Sequence, residues 1–311
     1  MARVTQYETE ILRARLGQLE LVNSQLDALE QILRNIFNDI DILMLEITDP
    51  NDIVRRRELA SLLRGITDVV GNGFADTEAL IERGMRRATE IVRDGHLRGS
   101  MILFDEFDSS FSNRLLPFFE NVPDDATRAV LSRILDDGQL FSSRIHNLET
   151  FTNNEISKTI ARGVLQRKSH TELMRELEPF LKMTDDELKA FQRTWNETHD
   201  EAFKADWKTR GRLKYNLRRL ARTEINNAYR EGHIHAARQS PWVEGVKWNL
   251  SGSHPKVDIC DTWASQDLDG LGPGVYTFET VPLDHPNGLC FLTNLIASDE
   301  KLESIIRERN I

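Results

Sequence analysis

The chain has 311 residues, 40% of them apolar and 29% charged, enough for a substantial core and long enough for two or three domains. Its formal net charge of -10 at pH 7 argues against a protein that binds nucleic acid over its whole surface, while leaving room for a local basic patch. Two cysteines in so long a chain do not make a disulfide scaffold, and no run approaches the roughly 18 consecutive apolar residues of a membrane span.

The opening stretch, MARVTQYETEILRARL, lacks the apolar core and small-residue cleavage site of a signal peptide, so the expectation is a soluble protein made in a reducing cytoplasm. Leu12, Leu16, Leu19, Val22, Leu26, Leu29, Leu33, Ile36, Ile40 and Leu43 recur every three or four residues and predict one long helix. From Val22 onward the steps alternate as in a heptad, whereas the two three-residue steps beside Gly17 predict a local disturbance. Asp49-Pro50 stops the run. The helix reads either as part of an antiparallel hairpin inside its own domain or as an intermolecular coiled coil, self-associating or lying on a partner. Asn51 to Gly73 predicts a second helix and a break, and Phe74 to Arg93 a third that ends at Asp94-Gly95.

The helical pattern continues from Gly99 to about His199. Pro123 followed by Asp124 and Asp125 reads as a helix start, since proline and acidic residues both suit a first turn. Ser169 with Glu172, and Thr184 with Glu187, have capping-box spacing. Asp105, Glu106 and Asp108 lack the glycine and spacing of a calcium loop and read as a solvated face.

WKTRGRLKYNLRRLAR holds seven basic residues and no acidic one: Lys208, Arg210, Arg212, Lys214, Arg218, Arg219 and Arg222. Leu213, Leu217 and Leu220 give it an apolar stripe, so it predicts an amphipathic helix whose basic face either tracks phosphates or pairs with acidic protein surface. Four residues past Leu220 the stripe lands on Glu224, a carboxylate on the side expected to be buried, where a charge is costly unless paired. Glu224 is then either a general base or ligand, or a buried anchor for an arginine or backbone amides. His233 and His235 are two apart, face different ways on a helix and are expected at the surface.

After Pro241 the period changes to two. Val246, Trp248 and Leu250 alternate with Lys247, Asn249 and Ser251 as in a half-buried strand, and VYTF (275–278) and FLTNLI (291–296) are further strands. A helix from about Ser298 to Arg309 closes the chain. The expected fold is mainly α, with long N-terminal helices, a helical middle region and a small C-terminal α+β domain. The corresponding segments are 1–98, 99–205 and 206–311.

Between the strands lie HPKVDICD and DHPNGLC, which contain both cysteines. His254 with Cys260, and His285 with Cys290, could supply zinc with two ligand pairs, with Asp258, Asp261 and Asp284 as oxygen substitutes. The spacings are looser than C-x2-C, and two other readings stand beside zinc: inert buried thiols, or a Cys260–Cys290 disulfide formed outside a reducing cell. Two aspartates beside Cys260 disfavour a nucleophilic thiolate, and phosphate-loop, nucleophile-elbow and metalloprotease motifs are missing from the sequence, so no enzyme is expected.

ARTEINNAYR on a helix, then WNLSGSHPKVDICD, a GLGPGVY turn and PLDHPNGLC, in that order over roughly residues 216–296, resemble the phage Mu F-like head morphogenesis family. Its members are minor capsid components of tailed bacteriophages and related prophages. The resemblance implies a low-copy protein of the capsid interior, bound to the portal and acting in procapsid assembly, DNA packaging or genome ejection. Its implied partners are the portal, the major capsid or scaffolding protein, and packaged DNA through the basic helix. The family motifs fall on Arg222, Thr223 and Glu224, on His254, Asp258, Cys260 and Asp261, and on His285, Pro286 and Cys290. Many relatives have further cysteines where this sequence has Trp263 and Gly288, which removes two potential thiolates. Some relatives carry a toxin domain after this module, and none is expected here. Two rival functions remain: a metal-dependent hydrolase or nuclease using His254, Cys260, His285 and Cys290, and a DNA-binding ejection factor using Lys208 to Arg222.

Overall fold

Apolar residues spaced three and four apart dominate the sequence, and the fold is accordingly mainly α with a small antiparallel sheet in its C-terminal part. The computed structural model describes residues 2–47, 58–104, 109–134, 138–181, 212–252, 257–286 and 288–309. The elements are α1 (Ala2–Ile47), α2 (Leu59–Leu103), α3 (Ser109–Phe119), α4 (Val122–Ser132), α5 (Phe141–Leu165), α6 (His170–Leu181) and α7 (Arg212–Gln239). They are followed by β1 (Val243–Asn249), α8 (Ile259–Ser265), β2 (Val275–Tyr276), β3 (Phe291–Ile296) and α9 (Asp299–Arg309). Packing groups them into two compact units, each built from separated segments: residues 1–24, 81–133 and 222–311 in unit 1, and residues 25–80 and 134–221 in unit 2. Boundaries between the units fall within α1, α2 and α7.

Unit 2 is an apolar helix assembly. The second half of α1 buries Leu26, Leu29, Leu33, Ile36 and Ile40, as the heptad predicts, with Leu43 half-buried. Leu62, Ile66, Val70 and Phe74 of α2, Ile145, Ile156 and Ile160 of α5, Leu173 and Leu177 of α6, and Leu213 and Leu217 of α7 complete this core. The break expected at Gly73 is absent: α2 runs straight through it. Glycine there serves packing, since a Cβ would overlap the Ile36 side chain, and close approach offsets the roughly 1 kcal/mol that glycine costs a helix. The Ser169–Glu172 capping box forms, with the Glu172 carboxylate accepting from the Ser169 N–H at 2.7 Å and the Ser169 hydroxyl accepting from the Glu172 N–H at 3.4 Å. Thr184 and Glu187, and the carboxylates of residues 105–108, lie outside the described residues.

Unit 1 departs further from the expected pattern. In the first half of α1 the buried seam is Tyr7, Ile11, Ala14, Arg15, Gln18 and Val22, while Leu12 and Leu16 are 44% and 62% exposed. The seam keeps its three-and-four spacing, but two of its members are polar, so leucine periodicity traced the wrong face. The helix end expected at Asp94-Gly95 is likewise absent: α2 runs on through it, and glycine there serves packing, since a Cβ would come 2.7 Å from that of Ala14. Pro123 does open α4, at the first turn with Asp124 and Asp125.

The second half of α7 is buried on every side from Thr223 to Arg230, as expected of a helix running through a core. Beside it the sheet has strand order β2-β1-β3, all antiparallel, with Val246 opposite Tyr276 and Trp248 opposite Leu292. A bulge between Val243 and Gly245 shifts the alternation, and Gly245 allows close approach there, since a Cβ would lie 2.8 Å from the Tyr276 carbonyl oxygen. Leu250, expected on the buried face, lies beyond the end of β1 and is exposed. The closing helix α9 begins one residue after the expected Ser298.

Candidate functional site

The motif residues of the last third meet in unit 1, where α7 holds the loop of residues 282–290. Asp284 accepts from the Asn226 side-chain amide at 3.1 Å and from the His285 N–H at 2.9 Å. The same Asn226 amide donates to the Gly288 carbonyl at 3.2 Å, while the Asn226 oxygen accepts from Arg15 at 2.9 Å. Arg15 also donates to the Leu289 carbonyl. One turn beyond Asn226, Arg230 donates to the Pro282 carbonyl at 2.8 Å, lies 4.0 Å from Asp284, and stacks 4.2 Å over the Trp248 ring. Two arginines and an asparagine thus satisfy a loop whose carbonyls and carboxylate would otherwise be desolvated without partners. Burial pushes the Asp284 carboxyl up, and Arg230, His285 and Arg15 offset only part of that. A Cβ on Gly288 would overlap the Asp284 carboxylate, which accounts for glycine at this position.

The first loop is fixed differently. Asp258 caps α8: its side chain accepts from the Cys260 N–H at 2.7 Å, and Asp261 reaches back to accept from the Asp258 N–H at 2.8 Å. Both aspartates therefore have a fold-determining role, in a short helix that the sequence pattern did not announce. Trp263 packs edge-on against Trp248 with ring centroids 4.8 Å apart. Cys260 and Cys290 are both buried free thiols. Burial, and then the Cys290 thiol beside it, pushes the Cys260 thiol up, which rules against a resting thiolate nucleophile. Asp258, Cys260 and His285 form a metal-competent grouping among the described residues. His254 lies outside those residues, and Pro286 is an exposed turn residue.

Glu224 is buried, as the stripe implied, and accepts from the Asn227 amide at 3.5 Å; Thr223 is buried beside it and Arg222 is half-buried. His233 corrects the expectation of a surface histidine. It is buried, with Nδ1 3.2 Å from Nε2 of His96, whose Nδ1 lies 3.4 Å from the Tyr7 hydroxyl, which accepts from Asn294 at 2.7 Å. Read head to tail, Asn294 donates to Tyr7, Tyr7 to His96 and His96 to His233, which leaves both imidazoles neutral. Burial holds His96 well below the ordinary histidine value and His233 at about 3. His235, by contrast, is half-buried. Neither Arg15 nor this chain was anticipated; the available signal was a polar residue at each seam position, the same signal that singled out Glu224.

In unit 2, the basic helix spends part of its charge internally. Lys214 is buried with Nζ 3.2 Å from the Glu30 carboxylate, and Arg218 approaches the same group at 3.9 Å. Partial burial works against that carboxylate, but Arg34 and Lys214 outweigh it and hold its pKa below the ordinary value. Arg219 is exposed, whereas Lys208, Arg210 and the side chain of Arg212 lie outside the described residues. Lys214 is therefore a structural cation, unsuited to the external contact considered for it.

No family model matches the chain, and neither does any curated protein or solved structure with which it was compared.

Proposed function

We propose that the protein is a minor capsid protein of a tailed bacteriophage, a head morphogenesis factor bound to the portal inside the head. The observation that carries this reading is the buried network in which separated motifs meet: ARTEINNAYR supplies Asn226 and Arg230, and DHPNGLC supplies Asp284 and the carbonyls they hold. Motif residues used this way define a fold, which supports a resemblance of fold and an assembly role above a catalytic one. On this reading the protein acts in procapsid assembly, DNA packaging or genome ejection, and resides in the virion.

The test is mass spectrometry of purified procapsids and finished particles, with affinity capture on the portal. The reading expects a few copies per particle and co-purification with the portal; absence from both kinds of particle overturns it. A metal-dependent hydrolase is the second reading, favoured only by the Asp258, Cys260 and His285 grouping. It requires metal-dependent cleavage of a nucleic acid or ester substrate. A DNA-ejection role would have to draw on Arg219 and its neighbours, because Lys214 is committed to Glu30.

A further inference from the structure

Asp258, Cys260 and His285 each present one ligand atom, and these three atoms lie within 4.8 Å of one another. They come from the start of α8 and from the 282–290 loop, two segments joined by no shared strand. A further thiol, that of Cys290 just before β3, is buried beside Cys260, outside this grouping. The orientation of the imidazole is informative. Nδ1 of His285 lies 3.2 Å from the Pro286 carbonyl oxygen, which only accepts, so Nδ1 donates there and Nε2 is the nitrogen turned inward. Nε2 lies 3.5 Å from Oδ2 of Asp258, close enough for one ion to bridge them. The other oxygen of Asp258 is held by the Cys260 N–H at 2.7 Å, which fixes the carboxylate with Oδ2 toward the ring. A metal-binding histidine commonly has its second nitrogen tied in just this way, to a backbone carbonyl.

We propose that Asp258, Cys260, His285 and Cys290 bind one zinc ion, through Oδ2, the two sulfurs and Nε2. Two thiolates, an imidazole and a carboxylate suit zinc and disfavour magnesium or calcium, which take all-oxygen sites. Tetrahedral zinc with bonds of about 2.0–2.3 Å holds its ligands roughly 3.3–3.8 Å apart. For Asp258, Cys260 and His285 the observed spacing needs to close by only about 1 Å at its widest, while Cys290, outside that grouping, swings in from beside Cys260. Both thiols give up their protons to solvent as the ion binds. With all four positions filled by protein, the ion is structural, linking the start of α8 to the loop that Asn226 and Arg230 already hold. The set differs from the one read in the sequence in taking Asp258 in place of His254.

The experiment uses the full chain, purified metal-free under reducing conditions and loaded with zinc or cobalt(II). Elemental analysis is expected to return one zinc per chain after dialysis. Cobalt is expected to give the strong visible bands of a tetrahedral site and a near-ultraviolet thiolate charge-transfer band, which falls by about half in Cys290→Ser. His285→Ala changes a half-exposed side chain, leaves the circular dichroism unaltered, and weakens zinc binding by at least about tenfold. Should Cys290→Ser fail to fold, His285→Ala decides alone. Zinc lost on dialysis, a cobalt spectrum of octahedral type without charge transfer, or unchanged affinity in His285→Ala overturns the proposal. The readout is the metal, so its failure is distinct from absence of the protein from phage particles.

Discussion

Along α7 two kinds of buried helix follow one another. Before Arg222 the helix buries Leu213, Leu217 and Leu220 in unit 2, with one buried cation, Lys214, answered by Glu30. After it, in unit 1, the buried residues include Glu224, Asn226, Asn227, Arg230 and His233. α1 changes character in the opposite direction, from Arg15 and Gln18 to a regular run of leucines and isoleucines. The apolar core asks only that volumes match, and it tolerates exchange of one aliphatic residue for another. The polar core is satisfied in one arrangement, since Asn226 must meet Asp284, Gly288 and Arg15 at once. We regard that difference as the division of labour in the fold: unit 2 gains stability from burial, and unit 1 fixes the conformation of two loops.

The contrast can be broken most severely at Arg230. Arg230→Ala leaves Asp284 buried without its ion-pair partner and strips the face of Trp248, so chemical denaturation is expected to show a loss of about 3–5 kcal/mol. A double variant, Arg230→Met with Asp284→Asn, is expected to recover a large part of it. Leu29→Ala in unit 2 is expected to cost about 3 kcal/mol by the same measurement, through lost burial and a residual cavity, with no comparable rescue by a polar partner.

Acid sharpens the comparison. The folded state keeps His96 and His233 neutral, with His233 depressed to about 3, whereas the unfolded chain binds protons at the ordinary histidine value. Below roughly pH 6.5 the unfolded state therefore holds more protons, and stability falls as pH drops from there toward the folded value. His233 alone is expected to cost roughly 2 kcal/mol between pH 7 and pH 5, His96 adds to that in the same direction, and His96→Asn with His233→Asn should flatten the slope in urea titrations. The smallest effect is expected at Leu16. Because it is exposed, Leu16→Gln should change stability by less than about 0.5 kcal/mol, whereas a leucine seam through this position would make it severe.

These particulars also mark how far the sequence could be read. The fold class, all three strands, the seam from Val22 to Ile40 and the Ser169–Glu172 cap were legible because each depends on local periodicity or spacing. The polar seam was not, because Arg15 and Gln18 carry no hydrophobic signal, and leucines on the outer face supplied a false one. Gly73 and Gly95 read as punctuation in the sequence, although glycine permits close helix contact as readily as a turn. His233 was not legible because a histidine carries no hydrophobic signal to mark its face of α7 as the buried one, while His235, on another face, is half-buried. Asp258 and Asp261 were considered as metal ligands, while their three-residue spacing also held a capping signature.

Two contacts have a bearing on how unit 1 folds. Arg15 donates to the carbonyl of Leu289, 274 positions away, and Asn294 donates to Tyr7 across 287. Closing unit 1 therefore means gathering a very long loop before either contact rewards it, which makes this step of folding slow by nature and open in the interval to capture by chaperones.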